Sequence, residues 1–450
     1  MIIHHLDNVE VRSDGHKYAI RAIAAGEDII KYGMPIGHAL FDIAAGEHIH
    51  SHNLATNLSG TLEYNYEPDF QPTAVFCDRS FMGYQRPDGQ VGVRNDLWVI
   101  PTVGCVNDLA RKLADSVNGI ALCHPYGCSQ LGEDHAMTAD LLAALAHNPN
   151  AGGVLVVALG CENNTLESFQ TRLGDVSKLN IAYLTAQDEG NEFARGLELL
   201  AQLDEKRIKE RTEVPISKLK VGLKCGGSDG FSGLTANPLT GRFSDWLVQQ
   251  GGTTALTEVP EMFGAETLLM KRCINRQIFD KCVAMINNFK EYYQRYNQVI
   301  YENPSPGNKA GGITTLEEKS LGCVQKGGSS PVMDVCNYGE RITTPGLNLV
   351  TGPGNDIVAS TVLAAAGCQL LLFTTGRGTP LGSVIPTIKI ASNHALAERK
   401  NNWIDWDAQT HPDTEEFASY VLAVANGKML TANEKCRNFE IAIFKDGVTL

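Results

Sequence analysis

The residues best equipped for chemistry lie in the stretch Lys224-Cys-Gly-Gly-Ser-Asp-Gly-Phe-Ser-Gly-Leu-Thr-Ala-Asn-Pro238, which follows the apolar run Leu219 to Leu223. Its four glycines fall within nine residues. Chains accept that entropic cost where the backbone needs positive φ or must let a partner approach closely. Cys225, Ser228, Asp229, Ser232, Thr235 and Asn237 supply thiolate, hydroxyl, carboxylate and amide groups to whatever approaches. This is the composition of a polyol or anion site at a strand's carboxyl end. The alternative is a Gly-rich turn whose Ser and Asp side chains bond their own backbone.

Other stretches carry groups of the same kind. The loop His124-Pro-Tyr-Gly-Cys-Ser-Gln-Leu-Gly-Glu-Asp-His135 and the string Gly160-Cys-Glu-Asn-Asn164 follow strand-like runs. His124, Glu133, Asp134 and His135 are acid-base or metal candidates, although Glu133 and Asp134 equally suit a helix N-terminus, where they complement the dipole. Arg86, Arg94 and Arg377 are candidates to clamp a carboxylate. The segment from Asn303 to Cys323 is rich in Gly, Pro and small polar residues yet carries Asn308, Lys309, Glu317 and Lys319, which marks a functional or a disordered loop. In an extended strand His48, His50 and His52 point to one face, where they would hold a metal, meet a carboxylate or form a solvated polar face. His4, His5 and His16 show no comparable pattern.

The elements that position these groups follow from periodicity. Residues 1–66 read as a small β-rich unit, 67–80 as a proline-bearing linker, 81–215 as an α/β domain and 216–450 as a second α/β domain. In the first α/β region, strand patterns at Leu97–Val103, Ile120–Cys123 and Val154–Leu159 alternate with helix patterns at Val106–Val117 and Met137–Ala146. A charged helix runs from Asn191 to about Thr212. In the second, strands at Leu347–Val350 and Leu370–Thr374 flank a helix from Asp356 to Ala366, and a long helical stretch covers Ala265 to Tyr296. Alternation of this kind predicts largely parallel sheets with helices on their faces. No dinucleotide fingerprint or Walker A lysine pattern stands in the required setting.

Composition narrows the classes of partner. The net charge of −13 argues against a nucleic-acid or anionic-membrane partner. No apolar run approaches the roughly 18 residues of a membrane helix, and no export signal opens the chain, so a cytoplasmic protein is expected. Twelve cysteines in such a chain read as reduced thiols. Most suit small buried residues; Cys128, Cys161, Cys225 and Cys323 stand out for their polar, Gly-rich neighbours.

Several strings together resemble the altronate/galactarate dehydratase family: Gly92-Val-Arg-Asn95, Pro101-Thr-Val-Gly-Cys-Val-Asn107, Tyr126-Gly-Cys-Ser-Gln-Leu-Gly132, Gly160 to Asn164, Cys225-Gly-Gly-Ser-Asp-Gly230, Thr257-Glu-Val-Pro-Glu-Met-Phe-Gly264, Glu302 to Thr315 and Phe373 to Pro380. The resemblance spans nearly the whole chain. It implies an N-terminal SAF-like unit, with His50, His52 and Asn53 matching its pattern, and a lyase of the altronate branch that removes water from D-altronate to give 2-dehydro-3-deoxy-D-gluconate. Only a few residues separate Val9 from Gly15, where relatives carry a further strand pair, so the unit is expected to be shortened.

The resemblance further implies Fe2+, with Mn2+ as an alternative. The ion is expected either singly on ligands such as His50 and His52 or as an iron-sulfur cluster on three or four of Cys128, Cys161, Cys225 and Cys323. Removing a proton beside a carboxylate and expelling a β-hydroxyl calls for a Lewis acid and a base. Expected bases are His124, His135 or Lys309; expected substrate contacts are Arg94, Ser228, Asp229, Asn237, Asn308 and Arg377. A galactarate-acting enzyme and a non-catalytic sugar-acid sensor are the alternatives. A homo-oligomer is expected, as for most such enzymes.

Overall fold

The computed structural model describes residues 1–449. Its first unit consists of two small antiparallel sheets, β1 (Val9–Val11), β2 (Lys17–Ala19) and β5 (His48–Ile49) in one, and β3 (Asp28–Lys31), β4 (Met34–Ala39) and β6 (Leu54–Ala55) in the other. Alternation decides their faces. Val9, Ala19, Ile29, Ile36, Ile49 and Leu54 pack inward, while Tyr18, His16, His48 and His50 stay on the outer side. The short link after β1 is a tight turn, with Gly15 N donating to Arg12 O, and it is enough to close the hairpin.

From Thr56 the chain crosses to the body and runs along it: Tyr66 donates to Cys273 O and Phe76 N to Gln249 O. A small antiparallel sheet of β7 (Ser80–Gln85), β8 (Val91–Gly92) and β13 (Thr212–Pro215) follows. Within it sits a parallel four-stranded sheet, ordered β10 (Ile120–Ala121), β9 (Asp96–Pro101), β11 (Ala151–Ala158), β12 (Ile181–Thr185). Its helices are α1 (Asn107–Ser116), α2 (Gly132–Ala146), α3 (Leu166–Leu173) and α4 (Glu192–Lys206).

The last region is built on a seven-stranded, fully parallel sheet of β14 (Lys220–Cys225), β15 (Thr253–Leu256), β16 (Val332–Cys336), β17 (Gly346–Val350), β18 (Leu370–Thr375), β19 (Thr387–Ala391) and β20 (Trp406–Asp407). Their order across the sheet is β16-β17-β15-β14-β18-β19-β20. Central strands such as β18 are buried along their whole length, which is why they read as unbroken apolar runs. The chain leaves β14 toward β15 on one side and returns past it to β18 on the other. The topological switch point therefore lies between β14 and β18, and ligands of open α/β sheets bind outside the strands' carboxyl ends at such a point. The α/β reading with an N-terminal β unit agrees with this architecture.

Two stretches fold differently from their sequence patterns. The helical run from Ala265 to Tyr296 is split into α6 (Glu266–Met270) and α7 (Arg276–Arg295), because Cys273 bridges to Val332 and Asn275 caps the second helix through Ile278 N. The Gly/Pro-rich segment after Asn303 is ordered into α8 (Pro306–Ala310) and α9 (Leu316–Cys323) around α5 (Ala236–Gln249), with α10 (Asp356–Ala365) beyond. Ser305 and Asn308 form a reciprocal capping box, and the Thr315 hydroxyl caps α9.

The first unit docks on α9 through charges that carry almost no exposure. Lys17 Nζ and Lys31 Nζ each lie 2.8 Å from Glu318, one on each carboxylate oxygen, with all three side chains at 0–1% exposure. Lys17 also donates to Gly312 O and to Thr314 Oγ1. Burial would raise the Glu318 carboxyl, but Lys17 and Lys31 outweigh it and hold it at about 2. Two ammonium groups share one carboxylate, and Lys17 is the less secure of them: burial pushes it down to about 8 against the pull of Glu318. Backbone contact is equally close. A Cβ on Gly230 would stand 1.9 Å from Gly15 O, and one on Gly312 2.3 Å from it, so both positions require glycine.

Removing one partner from a buried ion group leaves uncompensated charge, which costs about 3–5 kcal/mol. Glu318→Ala is therefore expected to lower unfolding free energy by that amount in urea titration, and Lys17→Met by less, because Lys31 keeps its partner. The carboxyl is depressed on folding, so its contribution is complete above its ordinary value of 4.5 and is lost as pH falls from there toward 2. A wild-type stability profile that stays flat through this range would contradict the assignment.

Candidate active site

Four structural pieces meet at the carboxyl end of the seven-stranded sheet. β14 ends in Cys225, and the loop behind β15 carries Glu258 and Glu261. The turn after β18 carries Arg377, and α9 delivers Lys319 and Cys323. Cys225 Sγ and Cys323 Sγ lie 3.3 Å apart, and the Glu261 carboxylate lies 3.3 Å from the first and 3.2 Å from the second. All three are buried, and among the described residues they are the one group of three or more ionisable donors close enough to share an ion.

A shell of charge surrounds them. Lys319 Nζ pairs with Glu261 at 2.7 Å; Lys224 lies 2.9 Å from Glu258 and 2.7 Å from Asp356; Lys326 lies 3.1 Å from Glu258. Burial would raise the Glu261 carboxyl, yet Lys319 and Lys326 hold it down at about 2. The Cys323 thiol moves the other way: its hydrogen bond to Cys225 and its burial push it well above the ordinary range. Glu258 adopts a left-handed backbone, φ 69°, an uncommon conformation for a residue with a side chain. Its carboxylate is pinned there by Lys224, Lys326 and the backbone N–H of Cys225.

Toward solvent the switch point opens into a cavity of about 330 Å³, with Asp229, Gly376, Arg377, Asn393 and Arg399 on the body and Asp14 and Gly15 on the first unit. Asp229 is held by four donors: Phe231 N, the Ser232 and Ser392 hydroxyls and the Asn393 amide. The turn carrying Arg377 is fixed by the N–H groups of Gly376 and Arg377, which both donate to Gly227 O. The exposed guanidiniums of Arg377 and Arg399 face the same cavity. Two arginines at one wall and a fixed carboxylate beside them suit a hydroxylated carboxylic acid.

Most residues expected from the last region gather here, though not all in the expected role. Asn308 donates to Ser228 O and accepts from Ser305, so it ties two loops together. The Ser228 hydroxyl is buried without a partner. Asn237 is committed to Gly322 O and to the Thr374 hydroxyl, which makes it a structural tie and not a substrate contact. Lys309, on α8, receives at its carbonyl a hydrogen bond from His50 Nε2 at 2.9 Å. His50 thereby reaches the body, while His52 stays exposed beside His48.

The expected residues of the four-stranded region stand apart from this assembly. Arg94 is no free clamp: its guanidinium bonds Glu434 and the carbonyls of Val93, Val424 and Met429. His124 is buried with both ring nitrogens engaged, by Pro101 O and by Tyr126 N, and burial pushes it down to about 4, so it holds a turn together and is poorly placed to exchange protons with a ligand. His135 sits in the first turn of α2 with its Nε2 buried and unpartnered. Cys128 and Cys161 are exposed in the loops after β10 and β11, whereas Cys225 and Cys323 are buried together. Only two of the four expected cysteines therefore converge. Arg86 lines a separate cavity of about 270 Å³ at the opposite, amino-terminal end of the four-stranded sheet.

Glu258, Glu261, Lys319, Lys326 and Arg399 have no single-residue signature. Glu258 and Glu261 do flank a proline directly after a strand-like run, which is the position where an α/β fold places its ligands.

Sequence profiles match along the chain. The D-galactarate/Altronate dehydratase C-terminal profile covers residues 216–449, the D-galactarate dehydratase/Altronate hydrolase second-domain profile 83–207, and the Altronate/galactarate dehydratase SAF domain profile 2–57. The chain belongs to the altronate/galactarate dehydratase family. It is 53% identical to the altronate dehydratase of Escherichia coli (strain K12) and 51% identical to that of Bacillus subtilis (strain 168), in each case across 98% of this chain and 94% of the relative. The galactarate dehydratase (L-threo-forming) of Escherichia coli (strain K12) is 33% identical over 96% of this chain and 89% of the relative.

Because Arg94 and Glu434 form a buried pair outside the cavity, Arg94→Ala is expected to lower stability by about 3–5 kcal/mol while leaving KM unchanged. Denaturant melts and steady-state kinetics on the same variant separate the two effects, and a raised KM with unchanged stability would return Arg94 to the site.

Proposed function

We propose that the chain dehydrates D-altronate to 2-dehydro-3-deoxy-D-gluconate. It is a hydro-lyase by family. The substrate rests on one observation above all: identity of 51–53% to two altronate dehydratases against 33% to a galactarate dehydratase, each over nearly the whole chain. The cavity at the switch point is of a size and polarity that suit a six-carbon sugar acid, with Arg377 and Arg399 for its carboxylate and Asp229 for a hydroxyl.

The reading includes one Fe2+ per chain at Cys225, Glu261 and Cys323. The charges of the cluster support this. With both cysteines protonated, the three carboxylates Glu258, Glu261 and Asp356 balance the three lysines Lys224, Lys319 and Lys326. Exchanging the two thiol protons for one divalent ion preserves that balance, as metal binding to thiolates requires. Soft thiolate donors favour Fe2+ over Mn2+, and two convergent cysteines instead of four favour a single ion over a cluster. When bound, the ion would supply Lewis acidity for the developing enediolate and the departing hydroxyl.

The chain's own groups then have these roles. Arg377 and Arg399 hold the substrate carboxylate and favour the charge that builds on it as the proton at C2 leaves. Lys309, on the short helix whose last turn reaches the cavity at Gly311, takes that proton. Asp229, fixed by its four donors, accepts a hydrogen bond from a substrate hydroxyl and so sets which face of C2 meets the base. The C3 hydroxyl leaves as water with the proton that Lys309 has taken, giving an enol, which gains a proton at C3 and loses the one on the C2 oxygen to become the 2-keto acid. Atoms and charge balance without an oxidant. A cytoplasmic setting and self-association complete the reading; every cysteine among the described residues is free, as a reducing compartment maintains, and no helix among those residues is long and apolar enough to cross a membrane.

The test is 2-keto acid release from D-altronate and from galactarate, with and without added Fe2+. Turnover of galactarate and none of altronate would sink the reading. Arg377→Ala is expected to reduce kcat/KM for altronate by 10²- to 10³-fold, the loss of about 2.7–4 kcal/mol of charge stabilisation. A Cys225→Ser/Cys323→Ser variant is expected to retain near-zero iron after anaerobic purification, against about one iron and no sulfide in the parent. Stoichiometric sulfide in the parent would overturn the single-ion assignment.

A further inference from the structure

The first unit carries a second concentration of donor atoms that the proposed reaction does not use. In the sheet of β2 and β5, Tyr18 stands opposite His48 and Lys17 opposite Ile49. Side chains alternate across a strand, so Lys17 and Ile49 turn into the core while His16, Tyr18, His48 and His50 share the outer face. His16 is the diagonal neighbour of His48 on that face. The sequence hides this, because His16 and His48 lie 32 residues apart.

Four imidazoles are packed there without a carboxylate hydrogen-bonded to any of them. The rings of His16, His50 and His52 lie 5.1, 5.7 and 5.9 Å from that of His48. The closest approach is His48 Nε2 to His16 Nδ1, 3.3 Å, and this is the one side-chain hydrogen bond His48 makes among the described residues. Asp14 is adjacent but is occupied by the Tyr18 hydroxyl and the backbone N–H of His16.

Two imidazole nitrogens facing one another at 3.3 Å have the separation of a chelate. At the roughly 2.0–2.1 Å of a metal–imidazole bond, they subtend about 105–110° at an ion between them, close to tetrahedral. We propose that His16 Nδ1 and His48 Nε2 form a second metal site, for a first-row divalent transition ion, with water completing the shell. Binding moves the ring proton that the two histidines share to the other nitrogen of its own ring, so no proton is lost. All-nitrogen donors select zinc, nickel, copper or cobalt over calcium and magnesium. The site is distinct from the sulfur-bearing group in donors and in place. His16 directly follows Asp14 and Gly15, which help to line the cavity, and a shared ion would tether β2 to β5 beside the His50 contact with α8.

Co2+ is the probe, because thiolate ligation gives a near-ultraviolet charge-transfer band that imidazole ligation lacks. Anaerobic titration of the full chain, followed by absorption and by equilibrium dialysis, is expected to show two Co2+ per chain, only one of which contributes to that band. His16→Gln and His48→Gln are each expected to weaken the band-free site at least tenfold. The thiolate band should persist in both, which also reports that they are folded. In a Cys225→Ser/Cys323→Ser variant the band should vanish while one Co2+ remains. Binding confined to the thiolate band, or band-free binding that survives both histidine substitutions, would overturn the proposal.

Discussion

The whole arrangement depends on the burial of the Glu318 carboxylate between Lys17 and Lys31. Ions taken out of water are tolerated only when paired and hydrogen-bonded, and here both lysines come from the first unit and the carboxylate from the body. The first unit cannot turn or slide on the body without stranding two ammonium groups in an apolar junction. Glu318 sits one residue from Lys319 and five from Cys323 on the same short helix. The contact that fastens the first unit therefore also fixes the helix that completes the candidate site.

The same logic extends inward. Glu261 is anchored by Lys319 and Glu258 by Lys224 and Lys326, so the thiols of Cys225 and Cys323 sit inside a lattice in which every charge has a partner. Such a lattice is rigid, and rigidity is what electrostatic catalysis requires: dipoles and charges that need not reorganise as the reaction proceeds. Outside it, Arg377 and Arg399 are exposed and make no ion pair or side-chain hydrogen bond among the described residues, which suits the substrate-binding role proposed for them. The site grades from a neutralised interior to a mouth lined by Arg377 and Arg399 together with Asp14 and Asp229.

Sequence alone determined the parallel α/β regions, because strands buried on both faces must be continuously apolar and the helices between them amphipathic. It also put Cys225 and Asp229 at and after the end of one strand and Arg377 after the end of another, and β14 and β18 pair in parallel so that these ends share one edge. It could not determine partners separated by hundreds of residues. Arg94 and His124 have the types of catalytic groups, yet Glu434 in one case and burial against Pro101 in the other absorb them. Asn237 reads as a ligand contact and is a tie between strands. Glu261 and Lys319 read as ordinary charged positions and become central, because only the packing of α9 against the loop after β15 brings them to 2.7 Å. His16 has no pattern of its own until β2 pairs with β5 and sets it against His48. Residue type and local period are properties of the chain; whether a charge is free, paired or buried depends on what the fold lays beside it.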